Sequence, residues 1–139
     1  MSTLERAIAL AATAHAGQID KAGAPYILHV LRVMLRLQSN DARIAAALHD
    51  TVEDCGFTLD QLRAEGFPDS AVEAVDAVTR REPESYEEFI LRAKAHPIGR
   101  LVKLADLEDN SDLSRLAEIT DRDRARLDKY RRAIDALSS

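Results

Sequence analysis

The sequence contains no tryptophan, and aromatic residues make up only 4% of its 139 positions. A core must therefore be built from Leu, Ala, Val and Ile, which favours helices packed closely through small side chains. The apolar runs are too short to cross a bilayer. Glu5 and Arg6 precede the first apolar run, unlike the layout of a signal peptide. We therefore expect a cytoplasmic protein without membrane association.

Cysteine is also scarce, and acidic residues outnumber basic ones. A single cysteine, Cys55, excludes an internal disulfide and agrees with a reducing compartment. The net charge of −5 and the pI near 5.4 argue against a partner that is a nucleic acid polymer. A small phosphorylated ligand held by a local basic patch remains compatible with this charge. The length and the 46% hydrophobic content predict one domain over residues 1–139.

Amphipathic segments separated by short turns run along the whole chain, and none alternates convincingly as a strand. The sequence therefore predicts an all-α, single-domain bundle of about seven helices. Capping boxes, in which side chains bond the first free backbone N–H groups, predict several helix starts. They lie at Ser2–Glu5 and Thr58–Gln61, while Ser85–Glu88 caps another predicted helix and Thr120–Asp123 opens the last one. A further predicted helix begins at Asn40 or Asp41 and continues through Asp54.

Several ionisable residues follow the alanine-rich part of that helix. His49 and Glu53 are four residues apart, as are Asp50 and Asp54, so a continuous helix would present all four on one broad face. The three carboxylates would be repelled by one another and by the negative end of the helix dipole. This pattern indicates a compensating cation, although carboxylates that simply face water at a helix end are the alternative.

Two other helices each carry a metal-ligand type of residue on an apolar face. His29 lies among aliphatic residues in the second predicted helix, and Asp106 follows the largely apolar segment 101–105. An unpaired carboxylate would be costly to bury there. Together with His49 and Asp50, these residues form a mixed nitrogen and oxygen set. Such a set suits Mn²⁺, Fe²⁺ or Zn²⁺ better than Ca²⁺.

Three motifs occur in a fixed order along the chain. They are Gln18-x-x-Lys21-x-Gly23-x-Pro25-Tyr26-x-x-His29, Leu48-His49-Asp50-Thr51-Val52-Glu53-Asp54 and Val102-Lys103-Leu104-Ala105-Asp106-x-x-x-Asn110. Together they resemble the HD-superfamily metal-dependent phosphohydrolases. More closely, they resemble the alarmone hydrolase domain of RelA/SpoT-type proteins and its small stand-alone relatives, over residues 6 to 134. The resemblance implies an all-helical HD-type fold. It also implies an enzyme that removes the 3′-pyrophosphate from (p)ppGpp, usually with Mn²⁺.

The resemblance also implies roles for individual residues. The metal ligands would be His29, His49, Asp50 and Asp106. Glu53 and Asp54 would match the pair that orients and activates the attacking water. The substrate contacts would be Lys21, the ribose-proximal Asn110, and Arg126 with Tyr130, which resemble an Arg and a Tyr of the nucleotide pocket in small alarmone hydrolases.

The chain departs from this family pattern at two positions. Asp20 precedes Lys21 where the family usually has an arginine that can stack on guanine, and Asp112 stands where an arginine is common after the motif asparagine. Asp20 could accept a hydrogen bond from an exocyclic amine, which would fit adenine as well as guanine. The simpler alternative is that Asp20 is only a turn residue. The substrate class thus includes both (p)ppGpp and (p)ppApp.

The leading hypothesis is a metal-dependent phosphohydrolase that removes a 3′-pyrophosphate or phosphate from a small nucleotide, acting as a monomer or homodimer. One alternative is a phosphatase for NADPH or another nucleotide. The other is a non-catalytic HD module that senses a nucleotide or binds a protein. The set of candidate ligands and water-activating carboxylates is complete. This argues against the non-catalytic module, because a sensor has no need of carboxylates that activate water.

Overall fold

The computed structural model describes residues 2–139, and this part of the chain forms nine α-helices and no extended sheet. The all-α prediction is confirmed, with two more helices among these residues than the expected seven. The helices are α1 (Leu4–Ala14), α2 (Ile27–Leu35), α3 (Asn40–Leu48), α4 (Thr51–Cys55), α5 (Leu59–Ala64), α6 (Asp69–Ala77), α7 (Tyr86–Ala95), α8 (Pro97–Asn110) and α9 (Asp121–Ser138).

Local capping explains where several of the helices begin. Capping boxes open α5, α7 and α9, with Thr58, Ser85 and Thr120 as N-caps, which confirms the three predicted helix starts. The first helix differs, because the N-cap is Thr3, whose side chain accepts a hydrogen bond from the backbone N–H of Arg6. The predicted capping box at Ser2 is therefore wrong, although the predicted helix itself is present.

The helix predicted over residues 40–54 is interrupted at His49 and Asp50, which separate α3 from α4. The imidazole of His49 bonds through Nδ1 to the carbonyl of Ala46 at 2.6 Å, and the Thr51 hydroxyl donates to the carbonyl of Leu48 at 2.8 Å. Side chains thus take backbone carbonyls that a continuous helix would use. The expectation of one continuous helical face carrying all four ionisable residues is wrong for this reason.

Helix α3 lies at the centre of the fold and packs against α1, α2, α6 and α8. Its residues from Ala42 onward are almost all buried, and Ile44 and Leu48 are among the largest fully buried side chains. The alanines allow neighbouring helices to approach closely, which brings α2 and α8 to the same end of α3. The ionisable residues at that end therefore face two other helices.

No helix within residues 2–139 is both long enough and apolar enough to cross a bilayer.

The contact between α6 and α8 generates a prediction about packing. A Cβ atom added to Gly99 would lie 2.9 Å from the Cβ of Ala77 and 3.2 Å from the Cβ of His96. Gly99→Ala should therefore lower the free energy of unfolding by about 1–2 kcal/mol, because overpacking outweighs the better helix propensity of alanine. Urea unfolding followed by circular dichroism measures this change.

The double variant Ala77→Gly with Gly99→Ala is the matched control, because it moves the methyl group to the other helix. It should recover most of the lost stability. A single Gly99→Ala variant as stable as the wild type would contradict this account of the helix contact.

Candidate metal centre

Four of the residues nominated from the sequence converge in the interior. His29 comes from α2, His49 and Asp50 from the turn between α3 and α4, and Asp106 from α8. Ligand atoms of His29, His49 and Asp50 lie within 4.8 Å of one another. Asp106 Oδ1 lies 3.0 Å from His29 Nε2 and 3.5 Å from His49 Nε2. Three segments distant in sequence thus form one buried cluster.

The orientation of the His49 imidazole fits metal binding. Nδ1 lies 2.6 Å from the Ala46 carbonyl, which can only accept, so Nδ1 carries the proton of that hydrogen bond. Nε2 is buried 2.9 Å from Asp50 Oδ2, yet it makes no hydrogen bond with any group of residues 2–139. Because the carbonyl engages Nδ1, Nε2 is the nitrogen that a divalent cation would use, and it lies beside carboxylate oxygens that could complete the site.

The second imidazole is also held through Nδ1, but its Nε2 has a carboxylate partner. His29 Nδ1 lies 2.6 Å from Asp109 Oδ2, and its Nε2 lies 3.0 Å from Asp106 Oδ1. Both histidines are therefore bonded through Nδ1 and present Nε2 to the same space. Two imidazole nitrogens and two carboxylates are a donor set typical of divalent transition metals.

Buried charges around Asp106 balance one another. Burial alone would raise its pKa, but the Lys103 ammonium and the two imidazoles hold the pKa of Asp106 well below its usual range. Lys103 Nζ lies 3.1 Å from Asp106 Oδ2, and Asn110 donates to Oδ1 at 3.1 Å. Asp106 is therefore an ionised carboxylate in the interior.

The same carboxylates act on His49. Burial alone would lower its pKa, but Asp50 and Asp106 raise the pKa of His49 well above its ordinary value of 6.5. On the opposite side, the Tyr26 hydroxyl donates to Asp50 Oδ2 at 2.5 Å. Burial, followed by the charge of Asp50, raises the pKa of Tyr26, so Tyr26 remains a donor to this carboxylate.

Glu53 and Asp54 differ from the cluster in their environment, because both are exposed whereas His49 and Asp50 are buried. Glu53 Oε1 accepts a hydrogen bond from the backbone N–H of Arg80 at 3.1 Å. Partial desolvation and the charge of Asp50 raise the pKa of both carboxyl groups. The two residues lie at the exposed side of the cluster, within the electrostatic influence of Asp50.

A cavity of about 440 Å³ adjoins the cluster, and His29 forms part of its wall. All five residues predicted to contact a substrate line this cavity. They are Asp20, Lys21, Asn110, Arg126 and Tyr130. Sequence positions more than 100 residues apart are therefore brought to one concave surface next to the candidate metal ligands.

The two aspartates that depart from the family pattern each organise a turn. Asp20 Oδ1 accepts hydrogen bonds from the backbone N–H groups of Ala22 and Ala24, both at 2.9 Å. Asp112 Oδ1 accepts from the N–H and hydroxyl of Ser114, and Oδ2 accepts from Arg115 at 3.1 Å. One carboxylate oxygen of Asp20 thus holds the turn, as the turn interpretation predicts. Asp112 orients the guanidinium group of Arg115.

Several residues at the site received no role from the sequence. Tyr26 and Lys103 lie inside the quoted motifs, three residues before the candidate ligands His29 and Asp106. Their polar groups could therefore have been predicted to lie at the site. Asp109 is 1% exposed and accepts from Arg32 at 2.7 and 3.1 Å as well as from His29. Nothing in the sequence indicates that contact, because its partner helices are about 80 residues apart.

Comparison with known proteins gives a consistent set of relatives. Residues 7–136 match a family model described as HD domain. The chain is 34% identical over 119 residues to a guanosine-3′,5′-bis(diphosphate) 3′-pyrophosphohydrolase of Aquifex aeolicus, covering 77% of this chain and 17% of that protein. It is 34% identical over 116 residues to a GTP pyrophosphokinase of Streptomyces coelicolor, covering 74% of this chain and 14% of that protein. The chain therefore spans less than a fifth of these curated relatives.

A solved structure is similar over nearly the whole chain. It is described as a metazoan ortholog of SpoT that hydrolyses ppGpp and plays a role in starvation responses. The TM-score is 0.80 at 25% identity, and the alignment covers 99% of this chain and 86% of the other. The similarity in this case extends to a protein of comparable size.

The raised pKa of His49 predicts that metal binding releases a proton. A metal ligand must be a neutral imidazole, whereas the facing carboxylates keep the metal-free imidazole protonated above pH 6.5. The affinity for Mn²⁺ should therefore rise as the pH increases from about 6 to about 8, by up to about tenfold per pH unit for one proton.

Isothermal titration calorimetry in two buffers of different ionisation enthalpy measures both quantities. It should detect at least one proton released per ion bound near neutral pH, because, against the effect of burial, the contact with Asp106 also raises the pKa of His29. An affinity that is independent of pH, without proton release, would show that the imidazole is already neutral and would contradict this electrostatic account.

Proposed function

The chain belongs to the HD domain family, and on this basis we propose that it is a metal-dependent phosphohydrolase acting on a small nucleotide. The proposed reaction removes the 3′-pyrophosphate from an alarmone such as (p)ppGpp or (p)ppApp. One observation carries the proposal: a buried set of metal-ligand residues shares His29 with a cavity lined by cations and a tyrosine. The names of the similar proteins point to the same substrate class.

His29, His49, Asp50 and Asp106 would hold the divalent ion. Their donor set suits Mn²⁺, with Fe²⁺ and Zn²⁺ as the alternatives. A bound ion would lower the pKa of a water molecule toward neutrality and draw charge from a phosphoryl oxygen. Asn110 and Lys103 support this arrangement from the protein side, because both bond the Asp106 carboxylate.

Glu53 and Asp54 would handle the proton of the attacking water. Desolvation and the Asp50 charge raise the pKa of both carboxyl groups, which brings their basicity closer to neutral pH. Water attacks the phosphorus that is bonded to the ribose 3′-oxygen, and the bond between this phosphorus and the 3′-oxygen breaks. The proton taken from the water returns to the 3′-oxygen, so the products are pyrophosphate and a nucleotide with a free 3′-hydroxyl.

Lys21 and Arg126 would bind phosphate groups. Burial, followed by the nearby charge of Arg126, lowers the pKa of Lys21, which places two cations close together in the cavity wall. Arg126 is oriented by a 3.1 Å contact with Asp123. An anionic group between Lys21 and Arg126 would relieve their mutual repulsion. Tyr130 in the same wall offers an aromatic face for a base or ribose.

Base recognition would depend on the loop around Asp20. Oδ1 of Asp20 is engaged by Ala22 and Ala24, which leaves Oδ2 as the acceptor for a ligand amine. A single acceptor oxygen can bond the exocyclic amine of adenine or of guanine. The loop chemistry is therefore compatible with either alarmone.

A substrate panel tests the proposed function. Purified protein with Mn²⁺ is incubated with ppGpp, ppApp, pGpp, NADPH and simple nucleoside monophosphates, and the products are identified by ion-exchange chromatography and mass spectrometry. Release of pyrophosphate from a 3′-pyrophosphorylated nucleotide is expected. Release of phosphate from NADPH alone would favour the phosphatase alternative. Binding of a nucleotide without turnover would favour the sensing module and overturn the proposal.

A second prediction concerns the general base. Glu53→Gln should lower kcat by about 100-fold or more, because the amide cannot accept the water proton. The affinity for Mn²⁺ should stay within a few-fold of the wild type, since Glu53 is not among the proposed ligands. Single-turnover rates and calorimetric titrations separate these two effects.

The control is Glu82→Gln, an exposed glutamate in the loop that contains Arg80. This variant should keep wild-type turnover. A Glu53→Gln rate within a few-fold of the wild type would remove Glu53 from the proposed mechanism.

A further inference from the structure

Asp109 is one of the most deeply buried charged residues in the described chain, with 1% of its surface exposed. It lies on α8 three residues after Asp106, so the two carboxylates are neighbours on the same helix. Neither the family motifs quoted above nor the proposed mechanism gives it a role. A carboxylate buried this deeply requires partners that compensate its charge.

Those partners come from two sides. His29 Nδ1 lies 2.6 Å from Asp109 Oδ2, on the side of the metal centre. On the other side, Arg32 donates from Nε to Oδ1 at 2.7 Å and from its terminal nitrogen to Oδ2 at 3.1 Å. Arg115 adds a longer contact of 3.6 Å. Arg32 and Arg115 both line the cavity, so Asp109 connects the cavity wall to a candidate metal ligand.

This contact determines which nitrogen of His29 is available. A carboxylate only accepts, so the Nδ1 bonded to Asp109 must carry a hydrogen, and when the ring becomes neutral to bind a metal its lone pair is on Nε2. Nε2 is the nitrogen directed toward Asp106. Without Asp109 the ring could rotate or adopt the other tautomer, and the lone pair would leave the site. Such outer partners commonly change metal affinity by about 10- to 100-fold.

We propose that Asp109 is a positioning residue that fixes the tautomer and orientation of the His29 imidazole for metal binding. The two-point contact with Arg32 holds the Asp109 carboxylate in place from the cavity side. The proposal rests on the metal site of the proposed function, but not on the identity of the nucleotide.

Calorimetric titration of Mn²⁺ without nucleotide tests the proposal on three variants. Asp109→Ala should weaken Mn²⁺ binding by about 10- to 100-fold. Asp109→Asn should weaken it less, because the amide oxygen can still accept from Nδ1. Asp112→Asn is the matched control: it removes a cavity-lining carboxylate that contacts Arg115 but no candidate ligand, and its affinity should stay within about twofold of the wild type.

A spectroscopic measurement adds a second readout. Long-range ¹H–¹⁵N spectra of the Zn²⁺-loaded wild type should show Nδ1 of His29 protonated and Nε2 bound to the metal. The Asp109→Ala spectrum should lose this single state. Far-UV circular dichroism of each variant establishes that the helices are intact.

The proposal is overturned if the Asp109 variants, with helices intact, bind Mn²⁺ within about twofold of the wild type. Equal losses in Asp112→Asn would mean that any carboxylate of the cavity wall affects Mn²⁺ binding, and loss of the helical signal in both Asp109 variants would make Asp109 a folding residue. Either result overturns the positioning role. The two proposals fail separately. A chain that binds Mn²⁺ in an Asp109-dependent way but cleaves no nucleotide refutes only the proposed function.

Discussion

The carboxylate of Asp106 sits inside a helical core, and its charge must be balanced by groups that the fold brings to it. Lys103 supplies one buried positive charge, Asn110 donates a hydrogen bond, and His29 and His49 approach from α2 and from the α3–α4 turn. These contacts draw α2, the α3–α4 turn and α8 together. The groups that balance the charge of Asp106 also surround a space suited to a divalent cation. Stability and function therefore depend on one cluster.

The sequence was sufficient where the signal was local. The capping box at Thr58, the cap at Ser85 and the segment that opens at Thr120 predicted three helix starts, because each start is decided by contacts three residues apart. The break at His49 was not predicted, because it depends on side chains that bond backbone carbonyls behind them. The alanine-rich pattern before it was equally consistent with a continuous helix.

Long-range contacts were predictable only where a motif carried them. The candidate ligands were nominated because imidazoles and carboxylates interrupted apolar helix faces, and the structure brings them together. Asp109 and its partner Arg32 offered no such contrast, since an acid near the end of one helix and an arginine within another are ordinary surface residues in a sequence. Their burial against each other follows from how α2 crosses α8, which no local pattern encodes.

Crystals soaked with Mn²⁺ and measured by anomalous diffraction provide the most direct test of the central claim, that residues from α2, the α3–α4 turn and α8 form one metal site. The account predicts a single strong anomalous peak bonded to Nε2 of both His29 and His49 and to carboxylate oxygens of Asp50 and Asp106. A peak bonded through Nδ1 of either histidine, a peak elsewhere, or no peak at saturating Mn²⁺ would contradict it.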